Sequence, residues 1–251
     1  MKLKDKICLI TNCGDYMGPA ITAEFQKEGA TVILQSRQFA AAKEQLASHG
    51  AQLEGVQVIE ADFGARGVAA THIAKLVEER GRLDVLVNVN VHNPGSGTML
   101  CETSDEEWDS MIHALMTELF YTTKAALPYM IDKQKGKIVN VTSAAGIVGL
   151  PKYTPYSAAR AGANGFTKAL GKEVARYNIQ VNAIAQNYVE NPAYFPNELI
   201  GNPDILKKIT KNIPLGRLAR GEESAKLAVF LASDDSDFFC GEVIKFAGGW
   251  G

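Results

Sequence analysis

Tyr156 and Arg160 lie four residues apart in a segment, 154–177, that carries helical spacing. Residues four apart on a helix share a face. A free phenol ionises near pH ~10 and is a poor base at neutrality. A guanidinium beside it favours phenolate by opposite charge, and hydrogen bonding to the charged form adds to this. Arginine keeps its charge even when partly buried, so such a pair needs no other cation to activate the phenol. Taken alone, the same two residues suit an ordinary pair on a solvated helix face better. Ser143, thirteen residues before Tyr156, closes the apolar run at 137–141. A hydroxyl there can donate to a ligand oxygen, or it can simply form a turn or cap.

A second stretch, TNCGDYMG at 11–18, joins an apolar run at 6–10 to a helical one at 17–28. A strand, a tight turn and a helix in that order often seat a nucleotide's phosphates, and the turn then needs glycine for close backbone approach and positive φ. Here Asn12 and Tyr16 stand where glycine is expected. A phenol ring in that place fills volume that a pyrophosphate or nicotinamide ribose would need, unless it swings out to solvent.

The elements around these residues follow from the pattern of apolar runs. KICLI (6–10), TVIL (31–34), VQVIEA (56–61), DVLVNV (84–89), KIVNV (137–141), IQVNAIA (179–185) and EVIKFA (242–247) read as seven strands. They are apolar throughout rather than alternating, as strands covered by helices on both faces are. Segments 17–28, 38–48, 66–79, 105–133, 154–177 and 222–232 carry helical spacing. The alternation predicts an α/β fold: a Rossmann-like, doubly wound parallel seven-stranded sheet with helices on both faces and right-handed crossovers. No repeat or low-complexity linker divides the 251 residues, so the chain reads as one domain over 1–251. The irregular stretch 186–203, QNYVENPAYFPNELIGNP, follows the sixth strand at the edge where open α/β sheets bind ligands.

Composition narrows the classes. The formal charge of −2, without a long run of one sign, gives no electrostatic reason for binding nucleic acid or an anionic membrane. Cys8, Cys13, Cys101 and Cys240 are scattered without metal-ligand spacing, so no metal is expected and reduced thiols in a cytoplasm are. The apolar run behind MKLKDK is too short for a signal peptide or a membrane span.

Taken in order, the turn after strand one, Asp62, DVLVN at 84–88, the Thr142–Ser143 pair, Tyr156 and the tail PLGRLARGEESAKLAVFLAS…GEVIKFAGG resemble the short-chain dehydrogenase/reductase superfamily over the whole chain. The departures gather on cofactor-handling positions. The turn lacks most of its glycines, Leu115 stands for the catalytic Asn, Arg160 for the Lys, and Gln186-Asn187 for a Pro-Gly beside the nicotinamide. Two motifs, T-x4-(F/Y)-x-G (Thr11, Tyr16, Gly18) and S-x12-Y-x3-R (Ser143, Tyr156, Arg160), resemble those of the halohydrin dehalogenases, a cofactor-free branch of that superfamily.

That resemblance implies Ser143, Tyr156 and Arg160 as the catalytic residues, with no cofactor and no metal. Tyr156 would take the hydroxyl proton of a vicinal haloalcohol, Ser143 would hold its oxygen, and the oxygen would displace the halide to give an epoxide. In reverse, small anions such as azide, cyanide, nitrite or halide would open epoxides. Tyr16, Gln186, Asn187, Tyr188 and Val189 would form the halide site, the last three through backbone N–H groups. His92, Pro94, Ala145, Tyr153, Tyr194 and Phe195 would line the substrate pocket. The buried Asp that often relays a proton from the arginine is Asn90 here. A homotetramer is implied, with the helices at 105–133 and 154–177 pairing across a two-fold axis. Two other readings stay open: a nicotinamide-dependent oxidoreductase, in which Arg37 would suit a 2′-phosphate, and a non-catalytic sensor or scaffold on the same fold.

Overall fold

The computed structural model describes residues 1–95, 97–191, 194–195 and 197–251, with the side chains of residues 197 and 198 outside that description. Seven parallel strands form one sheet in the order β3-β2-β1-β4-β5-β6-β7. They are β1 (Ile7–Ile10), β2 (Thr31–Ser36), β3 (Gln57–Glu60), β4 (Val85–Val89), β5 (Gly136–Ser143), β6 (Ile179–Gln186) and β7 (Val243–Phe246). The order reverses between β1 and β4, which opens a crevice at their carboxyl ends where ligands of such sheets bind.

Along β1, Ile7 and Leu9 enter one apolar layer and Cys8 and Ile10 the other. The period of two sends alternate side chains to opposite faces, and both faces are dry because helices cover each. One layer packs α1 (Gly18–Lys27), α2 (Phe39–Ser48) and α10 (Gly221–Ala232) through Ile21, Leu46 and Ala228. The other packs α3 (Val68–Arg80), α5 (Glu118–Lys133) and α7 (Thr154–Val174) through Ile73, Met130 and Leu170. A third, smaller cluster joins Met111 of α4 (Asp105–Ile112) and Leu115 to Ala145, Tyr156 and Ala159, beneath the candidate site.

The helical stretch expected over 105–133 is interrupted. Between α4 and α5 the residues His113–Thr117 form one π turn, which inserts a residue without breaking the rod. Short α6 (Ala145–Val148) follows β5, and α8 (Asn197–Ile200) and α9 (Pro203–Thr210) follow β6. Among the described residues no helix is long and apolar enough to cross a membrane, and no group of three or more His, Cys, Asp or Glu could hold a metal ion.

Candidate active site

Helix α7 begins with Pro155 in its first turn and faces β5 with a buried polar row. Tyr156, Arg160, Asn164 and Thr167 follow helical spacing, and each has a partner on the strand side or in the site. Thr142 Oγ1 donates to Asn164 Oδ1 at 2.7 Å, and Asn140 Nδ2 donates to Thr167 Oγ1 at 2.9 Å. Arg160 Nη1 donates to Val141 O at 3.2 Å and Nη2 to Asn90 O at 3.0 Å. The solvated Tyr–Arg pair is therefore not what forms: Tyr156 is 6% exposed and Arg160 1%.

The guanidinium carbon lies 5.2 Å from the centre of the Tyr156 ring. Burial pushes the Tyr156 phenol up, but the Arg160 charge and the polar neighbours Ser143, Arg160 and Tyr194 outweigh it, and the phenol ends below its ordinary range. Arg160 itself is raised: burial opposes its charge, and the phenols of Tyr156, Tyr194 and Tyr16 favour it. No hydrogen bond or ion pair from a carboxylate side chain reaches the guanidinium among the described residues, so Tyr156 is its natural counter-charge. Arg160 Nε and Asn90 Nδ2 are buried donors without a hydrogen-bond partner. Ser143 has two attachments, since its Oγ accepts from Ala145 N–H at 3.1 Å and also reaches Tyr156. It serves as turn former and as site donor together.

Tyr16 does not swing to solvent. Its ring is 5% exposed and meets Tyr194 edge-on, with centroids 5.1 Å apart and planes at 73°. Burial and the neighbouring Tyr156 push its phenol up. Asn12 and Tyr16 hold φ of +45° and +50°, so the turn retains the left-handed positions that glycine normally supplies. Gly18 keeps its own place for a steric reason, because a Cβ there would sit 2.5 Å from Cys13 O.

The neighbouring cleft, of about 420 Å³, is lined by Gly14, Asp15, Tyr16, Ser36, Arg37, Gln38, Ala41, Ala42 and Gln45. Arg37, whose side chain is 44% exposed, makes two ion pairs there. Its Nε donates to Asp62 Oδ1 at 2.8 Å and its Nη2 to Glu118 Oε2 at 2.7 Å. Glu118, 1% exposed, also accepts from Asn12 Nδ2 at 2.6 Å. Two carboxylates thus neutralise the cation that would read a 2′-phosphate, Asp15 adds a third acid to the turn, and Tyr16 occupies its mouth. A phosphate placed here would meet these carboxylates as well as the cation.

The other expected site residues divide. Tyr194 comes to the centre: its hydroxyl donates to His92 O at 2.8 Å and contacts Tyr156. His92 contributes that carbonyl, while its ring turns away to Ser110 Oγ at 2.9 Å and Asn93 O at 3.0 Å. Ala145 packs with Tyr156, and Tyr153 stacks over the backbone of Gly97. Pro94 is half-buried in the segment after β4. Phe195 faces Tyr188 at 6.0 Å and borders a different cleft, with Ala20, Ala23 and Glu190. Pro196, which completes the Tyr-Phe-Pro pattern, lies outside the described residues.

Of the expected backbone donors to an anion, two are already used. Asn187 N–H donates to Phe246 O at 3.0 Å, extending the β6–β7 ladder, and Tyr188 N–H donates to its neighbour's Oδ1 at 2.9 Å. Val189 is buried beside Ala219, bridged in parallel. Gln186 is 1% exposed and its side chain accepts from Ser224 Oγ at 2.6 Å. Glu118 and Ser224 escaped the sequence reading. The glutamate inside the apolar run ELFYTTKAAL was a signal for the first; the serine had none.

The doubly wound sheet brings a serine, a tyrosine and a buried cation together past the end of its fifth strand. The model of the enoyl-(acyl carrier protein) reductase family matches residues 16–251. The 3-oxoacyl-(acyl-carrier-protein) reductase FabG of Thermotoga maritima is 38% identical over 256 residues, 99% of each chain. The solved structure of a dehalogenation enzyme is 35% identical with a TM-score of 0.90 over 100% of both chains. That of ElxO with NADP bound is 28% identical, TM-score 0.89, over 100% of this chain and 99% of the other. The chain belongs to the short-chain dehydrogenase/reductase superfamily.

Proposed function

We propose that the protein is a cofactor-independent halohydrin dehalogenase, converting vicinal haloalcohols to epoxides and opening epoxides with small anions. The observation that carries this reading is the buried Tyr16 ring, wedged against Tyr194 and beside Tyr156 where a dinucleotide would pass. The likeness to the dehalogenation enzyme supports it.

Tyr156, lowered by Arg160, takes the proton of the substrate hydroxyl as general base, a role worth roughly 10²–10⁴-fold. Ser143 Oγ donates to the same oxygen. The oxygen attacks the adjacent carbon from the side opposite the halogen, the carbon–oxygen bond forms, and the carbon–halogen bond breaks with its electron pair leaving on the halide. The proton stays on Tyr156 until it passes to water. Substrate and product are at the same oxidation level, so no hydride donor enters the balance.

A second reading, a nicotinamide-dependent reductase, is favoured by the FabG relatives and by ElxO's bound NADP. Purified protein incubated with 1,3-dichloro-2-propanol separates the two. Chloride release without NAD(P)H is the expected result. Release or carbonyl chemistry that appears only when NAD(P)H is added would overturn the proposal in favour of the reductase.

A further inference from the structure

We propose that Glu118 is a positioning residue for Tyr16: its buried carboxylate fixes the turn at 11–18 and so keeps the Tyr16 ring inside the site. The inference rests on the dehalogenase reading, in which that ring closes the site, and adds to it the group that holds the ring in place.

Glu118 opens α5 directly after the π turn. It is 1% exposed, and a carboxylate so placed costs free energy unless hydrogen-bonded or charged partners meet it. Two do, each from another element. Oε1 accepts from Asn12 Nδ2 at 2.6 Å, and Oε2 accepts from Arg37 Nη2 at 2.7 Å. Asn12 is the more constrained partner. Its Nδ2 also donates to Val89 O at 3.0 Å, and its backbone N–H donates to Gln35 Oε1 at 2.8 Å. Both hydrogens of the amide are thus used, and the residue is locked where its φ is +45°. Backbone bonds pass this lock along the turn. Asn12 O accepts from Asp15 N–H at 2.9 Å, and Asp15 O accepts from Gly18 N–H at 2.8 Å. Tyr16 lies inside the second of these loops, at φ +50°. The ring's own contacts, edge-on to Tyr194 and by hydrogen bond with Gln186, act on its far end. A side chain carried on left-handed backbone drives φ back to negative values once the main chain is free. The base of Tyr16 therefore needs a hold of its own, and Glu118 supplies it from α5.

Fluorine NMR of the full chain made with 3-fluorotyrosine reads the ring directly, and the line absent from Tyr16→Phe belongs to Tyr16. In the parent that line is expected to be shielded from a soluble nitroxide. Glu118→Leu keeps most of the volume and removes both acceptors. It is expected to shift the Tyr16 line and to raise its nitroxide broadening severalfold. Glu118→Gln retains one acceptor for Asn12 and is expected to restore the parent line, a rescue that a merely structural role would not show. Asn12→Gly removes the clamp from the other side without straining the turn, and is expected to free the ring as Glu118→Leu does. A kinetic cycle separates positioning from plain support. Glu118→Leu is expected to lower kcat/KM for 1,3-dichloro-2-propanol about tenfold in the parent and hardly at all in Tyr16→Ala, since residues acting through one another are not additive. Thermal melts show which variants are folded; if Glu118→Leu is not, Asn12→Gly and Glu118→Gln decide.

A Tyr16 line that stays in place in folded Glu118→Leu or Asn12→Gly overturns the inference. So does a line that Glu118→Gln displaces as far as Glu118→Leu does, a parent line already broadened by the nitroxide, or equal kinetic losses in both backgrounds. The fluorine readout needs no turnover, so the dehalogenase reading is judged separately, from halide release by the parent without nicotinamide. A parent that dehalogenates while the Tyr16 line stays in place in Glu118→Leu removes the role of Glu118 alone. A parent that releases no halide removes the dehalogenase reading, and the fluorine lines still decide whether Glu118 holds the ring.

Discussion

A buried guanidinium needs a counter-charge, and in this site the available one is a phenol. Arg160 contacts backbone carbonyls of Val141 and Asn90 and the Tyr156 ring. Each step that strengthens phenolate therefore also settles the cation. In the proposed reaction the active base is the deprotonated phenol, so activity is expected to rise with pH through a value below the ordinary phenol range. Arg160→Met removes the first opposing charge and leaves the burial. The rising limb of the pH–rate profile is expected to move up by about 1–3 units, with the rate at neutral pH falling in proportion. Asn90→Asp tests the same balance from the other side. A carboxylate beside the guanidinium would compete with phenolate for it, so the limb should again move to higher pH. A limb that stays in place in both variants would mean that Arg160 does not tune Tyr156. The Tyr156–Arg160 spacing was legible because helical periodicity fixes which residues share a face, whereas Ser143, on β5, was placed by the family resemblance. The Ser224–Gln186 and Asn12–Glu118–Arg37 contacts were not, since they join residues 38, 106 and 81 positions apart through tertiary packing alone.

The elements were read well wherever periodicity is strong, and poorly where local chemistry overrides it. All seven strands fall on the expected runs, with no end more than two residues away, because a run buried on both faces has no polar residue to hide it. The π turn at His113–Thr117 was invisible because one inserted residue barely alters a helical pattern. Helix α9 was missed although Asn202 caps it and Pro203 opens it, since the prolines and aromatics just before it read as loop. The start of α10 shows what such a terminus contributes. Glu223 accepts from Arg220 N–H at 2.8 Å and takes two bonds from Arg217 at 2.8 and 2.9 Å. The Arg217 hydrogen bond, then the Arg220 N–H, bring its carboxyl down to about 2 from 4.5. A depressed carboxyl stabilises the fold above its unfolded value and loses that contribution as pH falls from 4.5 towards 2. Glu223→Gln is expected to lower Tm by about 2–4 °C at pH 7, on a cap contribution near 1 kcal/mol. The difference from the parent should vanish near pH 2. A gap that persists at that pH would assign the effect to packing instead.

At the scale of the whole molecule, the exposed aromatics are unevenly placed. Trp108 on α4 and Phe120 on α5 are 41% and 43% exposed, and Phe238 near the last strand is fully so. Exposed apolar side chains of this size suit an interaction surface, and we propose that other copies of the chain cover it. Light scattering of the purified protein is expected to give about four times 27.1 kDa, and Phe120→Asp to lower that mass. A parent that runs at 27.1 kDa would rule the assembly out. The frame that carries these faces is intact around an altered first turn, and there lies a consequence for the history of the chain. Asn12 and Tyr16 keep left-handed backbone at φ +45° and +50° although neither is glycine. Each such residue holds about 1 kcal/mol of torsional strain that an achiral residue would release. Glycine at 12 or 16 would therefore ease the main chain while hollowing the interior, so each side chain holds its place against the preference of its own backbone.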